Sequence, residues 1–125
     1  MKGRVVLDAY LRAYAFRPTR IEPMYHVARF YRENGQYHLG YLFSRAVIDV
    51  PYATDILFIE ESIYHYELPL EYAICCRQLS KHEEAIQGND AIIASATAPE
   101  NVRETARNNR QVCLDAARAS ARVNL

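Results

Sequence analysis

This 125-residue chain has no long apolar run. Nothing in it approaches the eighteen or more apolar residues of a membrane-spanning helix. Its opening, MKGRVVLDAYLRAY, carries charges where a secretory leader needs an apolar stretch. The expectation is a soluble, cytoplasmic chain. Glycine and proline are few, four and five residues, and no segment is low-complexity. Of the three cysteines, Cys75 and Cys76 are neighbours and Cys113 is distant. Adjacent cysteines lack the separated, facing geometry of an ordinary disulfide. Three thiols without paired spacing fit a reducing compartment and small buried side chains.

Catalytic and metal-binding signatures are missing as well. The histidines are His26, His38, His65 and His82. Glu61 and His65 share a helix face, and His82-Glu83-Glu84 opens another helix, but neither has paired histidines or a third ligand nearby. Cys75 falls inside a helix pattern and reads as core rather than nucleophile. Asp49 and Asp55 flank a loop without a pocket between them, and Asp55 is better explained as a cap. No catalytic residue, metal or cofactor is therefore expected. Net charge is zero, with 15 basic and 15 acidic residues, but unevenly spread. Residues 1–50 hold eight basic and four acidic side chains, whereas residues 51–97 hold two and eight. Such asymmetry can steer a polar partner or pair neighbouring units. Nucleic-acid binding needs a net basic face, so it is not expected.

What is present is helical periodicity, strongest over residues 21–50. Met24, Val27, Ala28 and Tyr31 recur at three- and four-residue spacing, an amphipathic stripe. Pro23 suits a first turn, where its missing N–H costs nothing. Asn34-Gly35 stops the helix, because both residues tolerate a left-handed backbone. Tyr37, Gly40, Tyr41, Phe43, Ser44 and Val47 then mark a second helix, ending before Pro51. So short a turn makes the pair antiparallel, with Ala28 and Gly40 permitting close approach. A diluted copy returns about forty-five residues later, with Ala28 over Ala73, Arg32 over Arg77, Gly35 over Ser80 and Gly40 over Ala85.

This arrangement of Ala28, Tyr31, Gly35, Tyr37, Gly40 and Pro51 resembles the tetratricopeptide repeat. The second copy keeps Ala73 and Ala85 but puts Cys76, Ser80 and His82 where an aromatic, a glycine and an aromatic belong. The fold expected is all-α, an antiparallel helix-hairpin solenoid of about six helices in a single domain, 1–125. Its hairpins lie at about 21–50 and 67–96, with a capping helix at about 99–122. A first helix over residues 4–16 has Val6, Ala9, Tyr10, Ala13 and Tyr14 on one face. Arg17-Pro18-Thr19-Arg20 is the turn after it. Thr54 or Asp55 would cap a short helix over Leu57, Phe58, Glu61 and Tyr64. Pro69 falls in the first turn of the helix that follows. Ser80, with Glu83 three residues on, would cap the next one, which runs to about Ala96. The last helix puts Val102, Ala106, Asn109, Val112, Cys113, Ala116 and Ala117 on one side, as a cap needs.

A second pattern spans nearly the whole chain. Arg17-Pro18-Thr19-Arg20-Ile21-Glu22-Pro23, Val27-Ala28, Gly35-Gln36-Tyr37 and the run Tyr52 to Glu60, with Tyr64, are similar to the helical region that follows the catalytic domain in some bacterial and viral glycosyltransferases. Such proteins carry an Asp-x-Asp metal site and a nucleotide-sugar fold upstream. Neither occurs here, so the resemblance implies the appended helical module, not an enzyme.

If the hairpins stack as tetratricopeptide arrays do, their first helices line a concave face. That face would offer Glu22, Tyr25, His26, Arg29, Arg32 and Glu33 from one hairpin, and Glu67, Arg77 and Gln78 from the next. Arginine beside tyrosine suits bidentate capture of a carboxylate or phosphate plus stacking. Ion pairs within the face, Glu22–His26 and Arg29–Glu33, are the competing expectation. The function expected is a scaffold binding a protein or peptide. Alternatives are an accessory region that positions a glycan acceptor for a transferase, and a self-association module making a homodimer through Tyr10 and Tyr14.

Overall fold

The computed structural model describes residues 2–16, 20–51 and 61–123, and every regular element among them is helical. In order these are α1 (Lys2–Phe16), α2 (Glu22–Glu33), α3 (Tyr37–Val47), a single π-helical turn (Ile63–Glu67), α4 (Leu68–Gln78), α5 (His82–Ala94) and α6 (Glu100–Val123). The expected turn at Arg17-Pro18-Thr19 and the expected cap and short helix from Thr54 to Phe58 lie outside the described residues. None of the described helices is long and apolar enough to cross a membrane.

The first hairpin forms for the reasons its residues give. Pro23 occupies the first turn of α2, and Met24, Val27 and Ala28 bury one stripe. The helix closes with the backbone bonds Gly35 N–H to Arg32 C=O and Gln36 N–H to Tyr31 C=O, with Gly35 left-handed at φ +73°. This two-bond closure satisfies carbonyls that the helix end would otherwise orphan. On α3, Gly40 faces Ala28, and the Tyr31 and Phe43 rings stack 5.6 Å apart. Only three residues separate Glu33 from Tyr37, and a connection this short turns α3 back antiparallel to α2. A Cβ at Gly40 would lie 3.3 Å from the Ala28 carbonyl oxygen and 2.6 Å from Cys75 Sγ. Only glycine lets three helices meet there.

The second hairpin repeats the closure forty-five positions on: Ser80 N–H bonds Arg77 C=O, and Lys81 N–H bonds Cys76 C=O. Ser80 takes the left-handed conformation, φ +58°. It therefore ends α4 and does not cap α5. The residue that precedes α5 is Lys81, with no side-chain cap bond, and Glu83 is exposed. The expected capping box is absent because the α4 closure claims Ser80 first. Pro69 does sit in the first turn of α4. The helical path into it is widened by the π turn, where Leu68 N–H reaches back to Ile63 C=O. A π turn relieves the clash a proline makes with the preceding turn. Helix α5 stops at Ala94, short of the expected Ala96. On it, Gly88 abuts Ala73 of α4, where a Cβ would be 3.1 Å from the Ala73 Cβ.

The core runs along the chain in three successive clusters. Ile21, Met24, Tyr25, Val47, Ile63 and Leu68 form the first, Tyr72, Cys76, Ala85 and Cys113 the second, and Ile92, Ala98 and Ala106 the third. Helix α6 buries Ala106 and Cys113, while Val112, expected on the same side, turns outward at 46 % exposure. Its outer face is otherwise largely polar. Two long-range bonds share a separation of forty-three residues: Ile21 N–H to the Tyr64 hydroxyl, and the Tyr41 hydroxyl to Glu84.

Ser80 in its turn and Gly40 within α3 carry opposite predictions. Ser80→Gly removes a left-handed penalty and should stabilise the fold by about 1 kcal/mol. Gly40→Ala forces a methyl against a buried sulfur and should cost about 1–3 kcal/mol. Urea midpoints of the two variants, measured against the parent, check both signs.

Candidate functional site

The face expected to bind is largely spoken for by the protein itself. Arg32 of α2 reaches α4 and grips Glu71 with both ends of its guanidinium, Nε and Nη2 each 2.7 Å from a carboxylate oxygen. The Glu71 side chain is 4 % exposed and the Arg32 side chain 28 %. Such a fork-to-fork pair is short, planar and directional. The Glu71 contact raises the Arg32 guanidinium further above its ordinary range, so the arginine stays charged. Arg77, which the sequence aligns with Arg32, reaches in the same sense from α4 to Asn109 of α6 at 2.9 Å. Arginines at equivalent positions thus tie α2 to α4 and α4 to α6.

The remaining expected residues divide. Tyr25 is buried in the first core cluster, and its hydroxyl accepts from Arg29 at 3.4 Å. Arg29 also holds Glu33 at 2.7 Å, the ion pair anticipated from spacing. Glu67 is half-buried and accepts from the Ser62 hydroxyl. Glu22 is buried and takes Arg20 at 3.2 Å, not His26. His26 instead stacks on Tyr10 of α1, centroids 4.9 Å apart. Tyr14 packs onto the first core cluster. Exposed cations on the face are therefore Arg29 and Arg77. Tyr25 and Glu22 are core residues, because α4 and the π turn cover the α2 side that carries them. Arg32 already holds a carboxylate of the chain itself.

The larger concavity lies elsewhere. A groove of about 780 Å³ runs between the end of α3, the π turn with the start of α4, and α5. Arg45 and Asp49 stand on one wall, Tyr64, His65 and Tyr72 on the next, and Glu84 on the third. Glu84 is fixed from two directions, its Oε2 accepting the Tyr72 hydroxyl at 2.6 Å and the Tyr41 hydroxyl at 2.7 Å. Lys81 sits 4.7 Å above the Tyr41 ring. The two hydroxyls hold the Glu84 carboxyl below the usual carboxylate range, the Tyr72 bond contributing most. Burial, then the bond to Glu84, raises Tyr72. No local pattern in the sequence points to this groove. Its walls come from three elements separated by tens of residues, and Tyr41, Tyr72 and Glu84 each look like ordinary helix positions.

Burial pushes the Cys75 and Cys76 thiols up to about 12, so neither is a thiolate near neutrality. Among the described residues, no three histidine, cysteine, aspartate or glutamate side chains come together as a metal site. Comparison with protein-family models, with curated proteins and with solved structures finds no match for the chain.

Two outcomes follow. Iodoacetamide at pH 8 should leave Cys75 and Cys76 unmodified in the folded protein and label them in urea, as mass spectrometry of the digested chain reads. Glu84 has a depressed folded pKa, so its stabilisation is present above the unfolded carboxyl pKa of about 4.3 and is lost as pH falls below it. Tyr72→Phe should therefore flatten the acid limb of the stability-against-pH curve, measured by urea titration from pH 3 to pH 7.

Proposed function

We propose that the chain is a non-catalytic helical-repeat module that binds a protein or peptide partner. The groove between α3, α4 and α5 is its binding surface. The observation that carries this is the groove itself: about 780 Å³, aromatic on one wall and charged on the others, with Glu84 held rigid by two tyrosines. Pockets that combine apolar walls with a few fixed polar groups are the usual form of a recognition site. A rigid carboxylate also costs a partner little ordering on binding.

The tetratricopeptide-like reading has three supports. The helix closures at Gly35 and Ser80 recur forty-five positions apart, the core follows chain order, and a mostly polar outer face covers α6. Stacked hairpins whose units contact mainly their neighbours have this character. The accessory role beside a glycosyltransferase rests on sequence resemblance alone. Self-association through Tyr10 and Tyr14 is disfavoured, since the first stacks on His26 and the second packs inward.

The test is a random peptide library panned against the protein, with binding of the enriched peptides compared between parent and groove variants. Gln87→Trp and Ala91→Arg place bulk in the groove from exposed positions of α5. Enriched peptides should lose at least about tenfold in affinity to both variants, equivalent to roughly 1.4 kcal/mol, with helical circular dichroism unchanged. Peptides that bind the parent and both variants equally would rule the groove out.

A further inference from the structure

The turn between α2 and α3 holds the one asparagine of the chain that is followed by glycine, Asn34-Gly35. The others, Asn89, Asn101, Asn108, Asn109 and Asn124, precede aspartate, valine, asparagine, arginine and leucine. The difference is chemical. The backbone nitrogen that follows an asparagine can attack its side-chain amide carbon, and a side chain on the attacking residue crowds that approach. Glycine has none, and its backbone turns most freely. Asn34 and Gly35 are both exposed, and a Cβ built on Gly35 meets nothing within 4 Å. The dipeptide is therefore open to water and free of neighbours that would block the attack.

What restrains it is the closure of α2, which holds both reacting groups. The Gly35 N–H, on the attacking nitrogen, donates to the Arg32 carbonyl at 3.0 Å. The Asn34 side-chain nitrogen, the leaving group, donates to the Phe30 carbonyl at 2.7 Å. That bond folds the amide back along α2, away from Gly35. Gln36 N–H then bonds the Tyr31 carbonyl at 2.8 Å, and the Tyr31 ring is held by Phe43 of α3. We propose that Asn34 is a deamidation site gated by this closure. The side chain persists while the hairpin is shut and converts to aspartate and isoaspartate when the end of α2 opens. In the open turn the Gly35 nitrogen bonds Asn34 Cγ and the Cγ–Nδ2 bond breaks, the nitrogen's proton leaving with the ammonia. Water then opens the cyclic imide at either carbonyl, so amide plus water gives carboxylate plus ammonia with no oxidant or cofactor. One opening leaves aspartate, and the other leaves isoaspartate with a methylene added to the backbone. Both products oppose the closure. A carboxylate has no donor for the Phe30 carbonyl, and it adds negative charge beside Glu33 at the end of α2, where the helix dipole disfavours it. A turn that has reacted therefore shuts less well than before.

The folded chain and the chain in guanidinium chloride are incubated side by side at mildly alkaline pH. Mass spectrometry of the digested chain locates the modified residue, and methyl transfer by an isoaspartate-specific carboxyl methyltransferase counts the isoaspartate. Asn34 should react at least about tenfold faster in the unfolded chain, since a closed turn reacts only through its open fraction. Phe43→Ala, checked for folding by circular dichroism, removes the ring that holds Tyr31 and leaves the Asn34-Gly35 chemistry alone. It should speed the reaction severalfold in the folded protein and leave the rate in guanidinium chloride unchanged. Asn34→Asp, which installs one product directly, should lower the urea midpoint. Equal rates in the folded and unfolded parent would overturn the gating, whatever the variants do. Reaction at Asn89, Asn101, Asn108 or Asn109 ahead of Asn34 would overturn the site. An Asn34→Asp variant as stable as the parent would contradict the opposition between product and closure. None of these readouts involves the α3–α4–α5 groove, so the two proposals fail or succeed separately.

Discussion

Glu71 of α4 is a buried carboxylate, and the partly exposed Arg32 of α2 that pairs with it ties the positions of the two helices together. A buried ion pair adds little net stability, because desolvating both groups offsets most of their attraction. Its force is in what it forbids. Any arrangement that separates α2 from α4 strands a carboxylate that is 4 % exposed. Loosely packed alternatives made from the same apolar residues are therefore heavily penalised. The close contacts agree with this geometry. Gly40 brings α3 against both Ala28 and Cys75, and Gly88 brings α5 against Ala73. Polar specification and small-residue packing select the same helix order.

That order decides where the molecule can bind anything. The α2–α4 face is consumed by its own bridges, from Arg32 to Glu71 and from Arg77 to Asn109. The α3–α5 side stays open, because the residues facing it include Gly88 and Ala91. Tyr41 and Tyr72 converge on Glu84 there and fix one wall. At the other end, α1 leans on α2 through the Tyr10–His26 stack and leaves a cleft lined by Tyr10, Phe16 and Pro23. Open concave surface is found where the helices meet imperfectly, not on the face that holds them together.

Much of the fold was legible in the sequence. Periodicity placed the helices, Pro23 and Gly35 set the ends of α2, and Ala28 and Gly40 marked a close contact that the structure contains. Ser80 was misleading for a specific reason. Serine before a helix usually caps it, and only tertiary context shows that this serine spends its backbone in a left-handed closure. The candidate site was far less legible. Spacing along α2 shows that Tyr25, Arg29 and Arg32 lie near one another, but not which of them a later helix will cover. The partner of Arg32 lies thirty-nine positions away, and the partners of Glu84 lie on two other helices. Local pattern finds faces, and long-range pairing decides which faces remain free.

The most direct test of this account is a double-mutant cycle on Arg32 and Glu71, read as unfolding free energy in urea. Arg32→Met should destabilise by about 3–5 kcal/mol, because it leaves the buried Glu71 carboxylate alone, and Glu71→Leu by less, because the Arg32 side chain is 28 % exposed and can turn to water. The double variant should recover most of that loss, since no charge is left unpaired and the space is filled. Simple additivity of the two effects would mean that the pair does not hold α2 to α4, and the helix order would need another cause.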